Sequence, residues 1–260
     1  MKNTGPGFED FKRYNTVTVT PQRDVYRLGS GPPVIVLHEL FGAGPTLFRF
    51  AHRISDAGFE VYVPILFGSA NHETTPFYSI TQFVRVCLSK EFAAFSLGRS
   101  SPITDWVRLL GCEIVQGSKH AGLGVVGLCL TGNFALTLAC EDWVSASVVS
   151  EPALPFGCTT ASKSDLHLSA AEIAHIEQRV RGGFVVLAFR FCDDWISPPE
   201  RDAALRARFA PGVSGNGSLA PTCPGAHAVF TDHFDETIGT STADALRDLL
   251  DYLKARLPRD

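Results

Sequence analysis

Residues 125–136 read VVGLCLTGNFAL. A valine-rich run meets glycine, then a single cysteine at position 129, then glycine again, and apolar residues at helical spacing follow. This order predicts a buried strand, a sharp turn and a helix, with Cys129 at the turn. The small residues Gly127 and Gly132 suit such a turn, because its backbone is crowded. The positive end of the helix dipole favours a thiolate, so we predict a nucleophile at Cys129.

Strands and helices are predicted to alternate along the rest of the chain. The predicted strands span residues 16–20, 24–28, 33–38, 60–66, 144–150 and 184–191, and the predicted helices span 45–57, 105–115, 169–181, 198–209 and 242–257. This alternation indicates the α/β class, with a parallel sheet covered by helices on both faces. Sites in such sheets lie beyond the carboxyl ends of the strands, where Cys129 is expected.

The length of 260 residues suits one α/β domain, which we predict to span residues 1–260. Two stretches interrupt the alternation: a Phe-rich insertion at 67–101 and a loop insertion at 152–168. Long insertions near the active edge of a compact domain are often lids or binding loops. Extra helices packed on the surface are the alternative, and the sequence leaves both open.

Composition excludes several classes of partner. The net charge of −4 gives no basic surface for nucleic acid and no polybasic patch for a membrane. We find no apolar stretch typical of a signal peptide or a membrane span. The seven cysteines include no C-x-x-C pair, and their odd number favours a reduced cytoplasmic setting. The sequence does not distinguish a monomer from a homodimer.

Other catalytic motifs fail on their context. His38-Glu39 lacks the second histidine of the H-E-x-x-H zinc motif, so neither a metal nor another cofactor is expected. No G-x-S-x-G sequence occurs, which argues against a serine hydrolase. Residues 122–127 match G-x-G-x-x-G, but they lead into a strand instead of opening a helix, so they do not indicate nucleotide binding.

A cysteine nucleophile needs a basic histidine, and the histidine needs an orienting acid. Asp193 and Asp194 directly follow the predicted strand 184–191, and either could be the acid. His227 and His233 both follow the acid in the chain and are both candidates for the base. If residues 228–230 form the last strand, His233 becomes the loop residue.

An oxyanion hole needs two backbone amides. The residue after the nucleophile, Leu130, is expected to provide one of them. The turn after the strand 33–38 is expected to provide the other, with Leu40 as the natural donor.

Five segments together carry a resemblance to a known family. They are HELFG at 38–42, GFEVYVP at 58–64, GLCLTG at 127–132, the turn from Asp194 to Pro198, and GAHAVF at 225–230. In these segments, from about Pro33 to the C-terminal helix, the chain resembles the dienelactone hydrolase family of α/β hydrolases. The resemblance implies an α/β-hydrolase fold with a mostly parallel central sheet.

The resemblance also implies an activity and a set of roles. It implies a hydrolase that cleaves small-molecule carboxylic esters or lactones through a Cys-His-Asp triad and an acyl-enzyme. It assigns the acid to Asp194 and the base to His227, with Cys129 as nucleophile. It further implies that Glu39 lies near the thiol and helps to generate the thiolate when substrate arrives.

The chain departs from the family pattern in places. Thr131 stands where the family usually has glycine, and Pro64-Ile65-Leu66 stands where it often has Pro-Asp-Leu. The arginines that hold the substrate carboxylate in the family have no clear counterpart in this sequence. Arg85, Arg99 and Arg190 are candidates for this role. The Phe-rich insertion suggests an acyl group larger or more apolar than dienelactone.

Two alternatives to ester hydrolysis follow from these departures. A non-catalytic ligand-binding protein could use the same scaffold, since fold does not fix function. A thioesterase or an acyltransferase could use the same triad.

Overall fold

The computed structural model describes residues 7–40, 42–71, 101–153 and 163–258. Within these residues, one sheet contains eight strands: β1 (Lys12–Tyr14), β2 (Val25–Leu28), β3 (Pro33–Leu37), β4 (Glu60–Pro64), β5 (Leu123–Leu128), β6 (Val144–Ser150), β7 (Val186–Phe189) and β8 (Val213–Ser214). The α-helices are α1 (Pro45–Asp56), α2 (Pro102–Gly117), α3 (Leu130–Leu138), α4 (Ala170–Arg181), α5 (Pro199–Arg208) and α6 (Ser241–Arg256). The greater part of both predicted insertions lies outside the described residues.

The strand order places the candidate site at a reversal of chain direction. The order is β1-β2-β4-β3-β5-β6-β7-β8, in which β2 is antiparallel to both of its neighbours, β1 and β4, and the remaining neighbours are parallel. From β3 the chain continues to β4 on one side and then to β5 on the other side. Ligands of open α/β sheets bind beyond the carboxyl ends of the strands at such a reversal. The loops after β3 and β5 therefore meet where a site is expected.

Two hydrophobic layers cover the sheet, and alternation along the strands explains them. In β3, Ile35 and Leu37 pack with α2 and α3 on one face, whereas Val34 and Val36 pack with α1 and α6 on the other. Successive side chains of a strand point to opposite faces, so a strand buried on both faces is apolar throughout. This arrangement confirms the predicted α/β class.

One predicted strand is wrong, and the strand considered as an alternative at 228–230 does not form. Residues 16–20 are not a strand, because the Glu113 carboxylate accepts the amides of Val17 and Thr18 and β1 at 12–14 pairs with β2 instead. Residues 228–230 form a turn, in which the His233 amide donates to the Ala228 carbonyl at 3.1 Å. The last strand is the short β8, in a stretch whose sequence is a poor strand former.

The helix ends follow the expected capping chemistry. Ser169 precedes α4 and accepts the amide of Glu172, while the Glu172 carboxylate accepts the amide of Ser169. This reciprocal arrangement satisfies two amides that have no acceptor within the helix. No helix in the described part of the chain combines the length and the apolar composition needed to cross a bilayer.

The approach of α3 to β5 depends on Gly127. A Cβ atom built at this position would lie 2.2 Å from the Thr131 carbonyl oxygen and 2.8 Å from the Ala135 Cβ. Backbone cannot move away from such a contact as a flexible side chain could. Glycine at position 127 therefore lets the helix fold back directly onto the strand that precedes it.

We predict that Gly127→Ala lowers the free energy of unfolding by about 2 to 3 kcal/mol, because it overpacks this contact. Gly117→Ala is the matched control, since a Cβ there meets nothing within 4 Å. The control should stay within about 1 kcal/mol of wild type. Urea denaturation followed by circular dichroism measures both, and equal stabilities would contradict the packing argument.

Candidate active site

Cys129 occupies a strained bend between β5 and α3. Its backbone angles are φ 54° and ψ −124°, in a left-handed region that residues other than glycine seldom adopt. The Cys129 amide donates to the Ser150 carbonyl at 3.1 Å, and the Cys129 carbonyl accepts the Ala153 amide at 3.3 Å. These contacts hold the bend at the N-terminus of α3, and the side chain of Cys129 is partly exposed.

Thr131 fits the bend despite its departure from the family pattern. Its hydroxyl accepts the Leu128 amide at 3.0 Å and lies 3.0 Å from the Leu37 carbonyl, to which it can donate. The side chain is fully buried, and the hydroxyl therefore ties the end of β3 to the end of β5. The larger residue strengthens the turn instead of distorting it.

Asp194 and His227 form a hydrogen-bonded pair in the candidate site. The His227 Nδ1 lies 2.7 Å from the Asp194 Oδ2, and the two side chains are 12% and 1% exposed. The Asp194 Oδ1 accepts the amides of Ile196 at 2.9 Å and Ser197 at 3.1 Å. Since both carboxylate oxygens have fixed partners, Asp194 holds the imidazole in one orientation.

The environment of His227 favours its protonated form. Burial lowers the pKa of the imidazole, but the negative sulfur of Cys129 and the Asp194 hydrogen bond outweigh burial and raise it well above the ordinary value. The Nε2 atom is buried and makes no hydrogen bond of good geometry to a described residue. An imidazolium beside the sulfur is the partner that a thiolate nucleophile needs.

The other candidates from the sequence have different positions. His233 accepts the amides of His227 at 3.3 Å and Ala228 at 3.1 Å through its Nδ1, so it supports the loop that carries His227. Asp193 is exposed and makes no hydrogen bond to His227 among the described residues.

The substrate-binding arginines receive no support. Arg190 is buried, and its guanidinium donates to the carbonyls of Ser197, Gly217 and Asp194 at 3.0 to 3.1 Å. It braces the acid loop and is not free to hold a substrate carboxylate, which corrects that expectation. Arg85 and Arg99 lie outside the described residues.

The loop after β3 orients the Leu40 amide. The Glu39 carbonyl accepts the His38 Nδ1 at 2.6 Å and the Gly42 amide at 3.1 Å. The amide of Leu40 belongs to the same peptide unit and points away from these donors, because a trans peptide directs its N–H opposite to its C=O. The side chain of Leu40 packs with Leu130, and Cys129 lies against the pair. The two predicted oxyanion donors therefore belong to residues that pack together beside Cys129, Leu40 in the loop after β3 and Leu130 at the start of α3.

Glu39 lies in the same site. Its Oε1 accepts a short hydrogen bond from the Thr231 hydroxyl. Burial raises the pKa of Glu39, and the neighbouring Asp232 raises it further, whereas Thr231 and His227 lower it. The carboxyl is therefore near the His227 imidazole, and Thr231 is a partner that the sequence did not reveal.

Glu151 is a residue of the site that sequence reasoning missed. It directly follows β6, is fully buried and has a left-handed φ of 37°. Burial raises its pKa to about 8, with His227 and Ser150 lowering it and Glu39 and Asp194 raising it. One signal was present in the sequence: a carboxylate at the carboxyl end of a valine-rich strand next to the nucleophile strand.

Metal ligands are not grouped here. Among residues 7–40, 42–71, 101–153 and 163–258, no set of three or more His, Cys, Asp or Glu side chains is placed to hold a metal ion. The chemistry that the site offers is that of a thiol, an imidazole and carboxyl groups.

The neutral state of His38 generates a pH prediction. Burial lowers its pKa to about 4 and outweighs the hydrogen bond to the Glu39 carbonyl, which raises it, while Nε2 accepts the Leu66 amide at 2.9 Å. Between pH 6.5 and 4, His38 binds a proton in the unfolded chain but not in the folded chain. Stability contributed by His38 is therefore complete above about pH 6.5 and falls by about 3 kcal/mol as pH falls to 4.

Denaturant titrations from pH 7 to 4 measure this dependence in wild type and in His38→Asn. The difference between the two unfolding free energies should shrink as the pH falls. His175→Asn, at a partly exposed histidine, is the control and should keep the wild-type slope. Parallel curves for wild type and His38→Asn would contradict the prediction.

Comparisons with known proteins identify the family and the fold of the chain. A profile of the dienelactone hydrolase family matches residues 15–176, more than half of the chain. A comparison with curated proteins gives no match.

Solved structures with a similar fold cover nearly the whole chain. A proposed dienelactone hydrolase of Klebsiella pneumoniae has a TM-score of 0.62 and 16% identity, covering 93% of this chain and 97% of its own. The dienelactone hydrolase of Anabaena variabilis has a TM-score of 0.60 and 14% identity, covering 95% and 99%. A monoglyceride lipase of Saccharomyces cerevisiae has a TM-score of 0.59 and 14% identity, covering 96% and 95%. At these identities the similarity shows the α/β-hydrolase fold, and the family match shows that the chain belongs to the dienelactone hydrolase family.

Proposed function

We propose that this protein hydrolyses small-molecule carboxylic esters or lactones through an acyl-enzyme on Cys129. The observation that carries the proposal is the 2.7 Å hydrogen bond from Asp194 to a His227 ring whose pKa the Cys129 sulfur raises. In this arrangement Asp194 orients His227, and His227 transfers protons for the reaction at Cys129, as in other triads. The absence of nucleic-acid and membrane partners and a cytoplasmic location stay predictions from the sequence.

Acylation begins from a thiolate paired with the imidazolium. The Cys129 sulfur attacks the carbonyl carbon of the ester, and the oxyanion that forms accepts hydrogen bonds from the amides of Leu40 and Leu130. Collapse of this intermediate breaks the bond from carbonyl carbon to leaving oxygen. The proton on the His227 Nε2 passes to the leaving alkoxide, so the ring becomes neutral and the acyl group remains on sulfur.

In deacylation the proton moves in the opposite direction, to the His227 ring. A water molecule gives a proton to the neutral His227 Nε2 and attacks the thioester carbon, again with the oxyanion at the two amides. The carbon–sulfur bond breaks, which releases the carboxylic acid and restores the thiolate and imidazolium pair. Asp194 stabilises the imidazolium throughout and keeps its Nδ1–H tautomer.

The alternatives use the same site. The hypothesis of a non-catalytic binding protein rests on the departure at Thr131. The Thr131 hydroxyl fits the bend between β5 and α3, so this residue does not argue against catalysis. Thioester hydrolysis and acyl transfer differ only in leaving group or acceptor. Added alcohol or thiol acceptors distinguish transfer from hydrolysis, because transfer gives a new ester or thioester in place of the acid.

We predict that Cys129→Ala abolishes turnover of an activated aryl ester and the acyl adduct seen by intact mass. Wild-type protein mixed with an ester or lactone panel should gain one acyl mass, mapped to Cys129 by peptide analysis. Cys223→Ser removes an exposed thiol and is the control, which should retain both adduct and activity. Full activity in Cys129→Ala would exclude this nucleophile.

We predict that Asp194→Asn lowers kcat/KM on the order of 10⁴-fold with little change in fold. The Asn amide oxygen must face the Ile196 and Ser197 amides, which turns its NH₂ toward His227. The ring then carries its proton on Nε2 and cannot accept one there. Asp193→Asn is the matched control, because this neighbouring carboxylate is exposed.

The loss in Asp194→Asn should appear in acylation and deacylation alike, because both steps use the Nε2 atom. Single-turnover kinetics with the aryl ester separates the two steps. A comparable loss in both Asp variants would mean that the carboxylate acts through general charge rather than through the imidazole.

A further inference from the structure

Glu151 lies between the nucleophile and the acid loop. In the parallel pairing of β5 and β6, Leu128 stands opposite Ser150, so Cys129 and Glu151 come next on neighbouring strands. The Cys129 amide donates to the Ser150 carbonyl at 3.1 Å, and the Glu151 amide donates to the Phe189 carbonyl, at the end of β7, at 2.7 Å. The backbone of Glu151 is therefore fixed to both flanking strands.

The segment after Glu151 is fixed to the acid loop as well. The Ser197 hydroxyl donates to the Pro152 carbonyl at 3.1 Å, and the Ser197 amide donates to Asp194. Any displacement of Glu151 would therefore move the partners of Cys129 and Asp194. The position of this residue is determined by the same contacts that determine the triad.

The side chain of Glu151 is not explained by packing. It is fully buried, its Oε2 accepts a short hydrogen bond from the Ser150 hydroxyl, and its Oε1 has no partner among the described residues. The backbone is left-handed, a conformation that suits glycine better. A buried unpaired oxygen on a strained residue costs stability, and such combinations gather at functional sites.

The charges around Glu151 all belong to the catalytic centre. His227, Glu39 and Asp194 act on the carboxyl, and the Cys129 sulfur acts on the same His227. The coupling to His227 is reciprocal: the ring lowers the pKa of Glu151, and Glu151 raises the pKa of the ring. Each group therefore favours the charged form of the other.

We propose that Glu151 is a positioning residue of the catalytic centre, whose buried carboxyl acts through His227 and stabilises the imidazolium form of that ring. The inference rests on the proposed thiol chemistry, in which imidazolium and thiolate begin acylation. At neutral pH the carboxyl is uncharged. As the pH rises it releases its proton to solvent, and its negative charge then keeps the ring protonated into the alkaline range.

The coupling can be measured without any substrate. With Cys129 retained, the ring titrates well above its ordinary range, where Glu151 is ionised, and ¹⁵N-labelled histidine reports this titration by NMR. We expect Glu151→Gln to lower the pKa of His227 by about one unit, because the amide carries no charge. Glu177→Gln, whose carboxylate pairs with Arg208 in the wild type, is the control and should leave the titration unchanged.

A second variant protects the test against a failure of Glu151→Gln to fold. Ser150→Ala keeps the carboxyl but removes the hydroxyl that stabilises its charged form. The pKa of His227 should fall in this variant too, by less than in Glu151→Gln. Identical His227 titrations in wild type and in either folded variant would overturn the proposal.

The functional readout is the pH profile of kcat/KM for an aryl ester. Glu151→Gln should move the alkaline limb to lower pH by about one unit, a loss of about tenfold at pH 9, and leave the acidic limb in place. An equal loss at every pH would indicate a merely structural role and overturn the proposal. If wild type shows no esterase activity, the proposed function fails, and the NMR titration still decides the coupling.

Discussion

The left-handed backbone at Cys129 is the constraint on which the rest of the site depends. A cysteine adopts this conformation only where its surroundings determine it, and here the partners are the Ser150 carbonyl and the Ala153 amide. Gly127 allows α3 to fold back over β5, and the Thr131 hydroxyl links the same turn to β3. Relaxing any of these contacts would withdraw the sulfur from the edge where the other loops meet.

Charge balance is the second constraint on the site. Three carboxyl groups, from Asp194, Glu39 and Glu151, surround one imidazole in a region where water is scarce. Burial raises the pKa of Glu39 and Glu151, and repulsion from neighbouring carboxylates raises it further. Two backbone amides and the His227 ring satisfy the oxygens of Asp194. The carboxyls therefore have different roles in one small volume.

Neutral polar groups complete the orientation of the loops. His38 is held uncharged by burial and fixes the carbonyl of the peptide that presents the Leu40 amide. Arg190 uses its guanidinium on backbone carbonyls of the acid loop. Both residues have the chemistry of catalytic or binding groups, yet both act on the backbone. The residue types alone could not predict whether His38 and Arg190 support the loops or take part in catalysis.

The fold and the strand-to-helix bend at Cys129 could be predicted because their signals are local. The run of residues 125–132 contains the strand, the glycine, the cysteine and the helix start in one stretch, and its steric demands act between near neighbours. The errors occurred where distant residues compete. The stretch 16–20 has the alternation of a strand, but Glu113, far along the chain, accepts its amides.

The sequence by itself determined an α/β sheet with a cysteine at a strand-to-helix bend and a choice of two aspartates and two histidines. Only the tertiary structure decided that Asp194 bonds His227, that His233 supports the loop, and that Glu151 joins the site. The physical reason is that backbone conformation depends on neighbours in the chain. Hydrogen bonds and buried charges instead depend on which strand ends the folded sheet brings together.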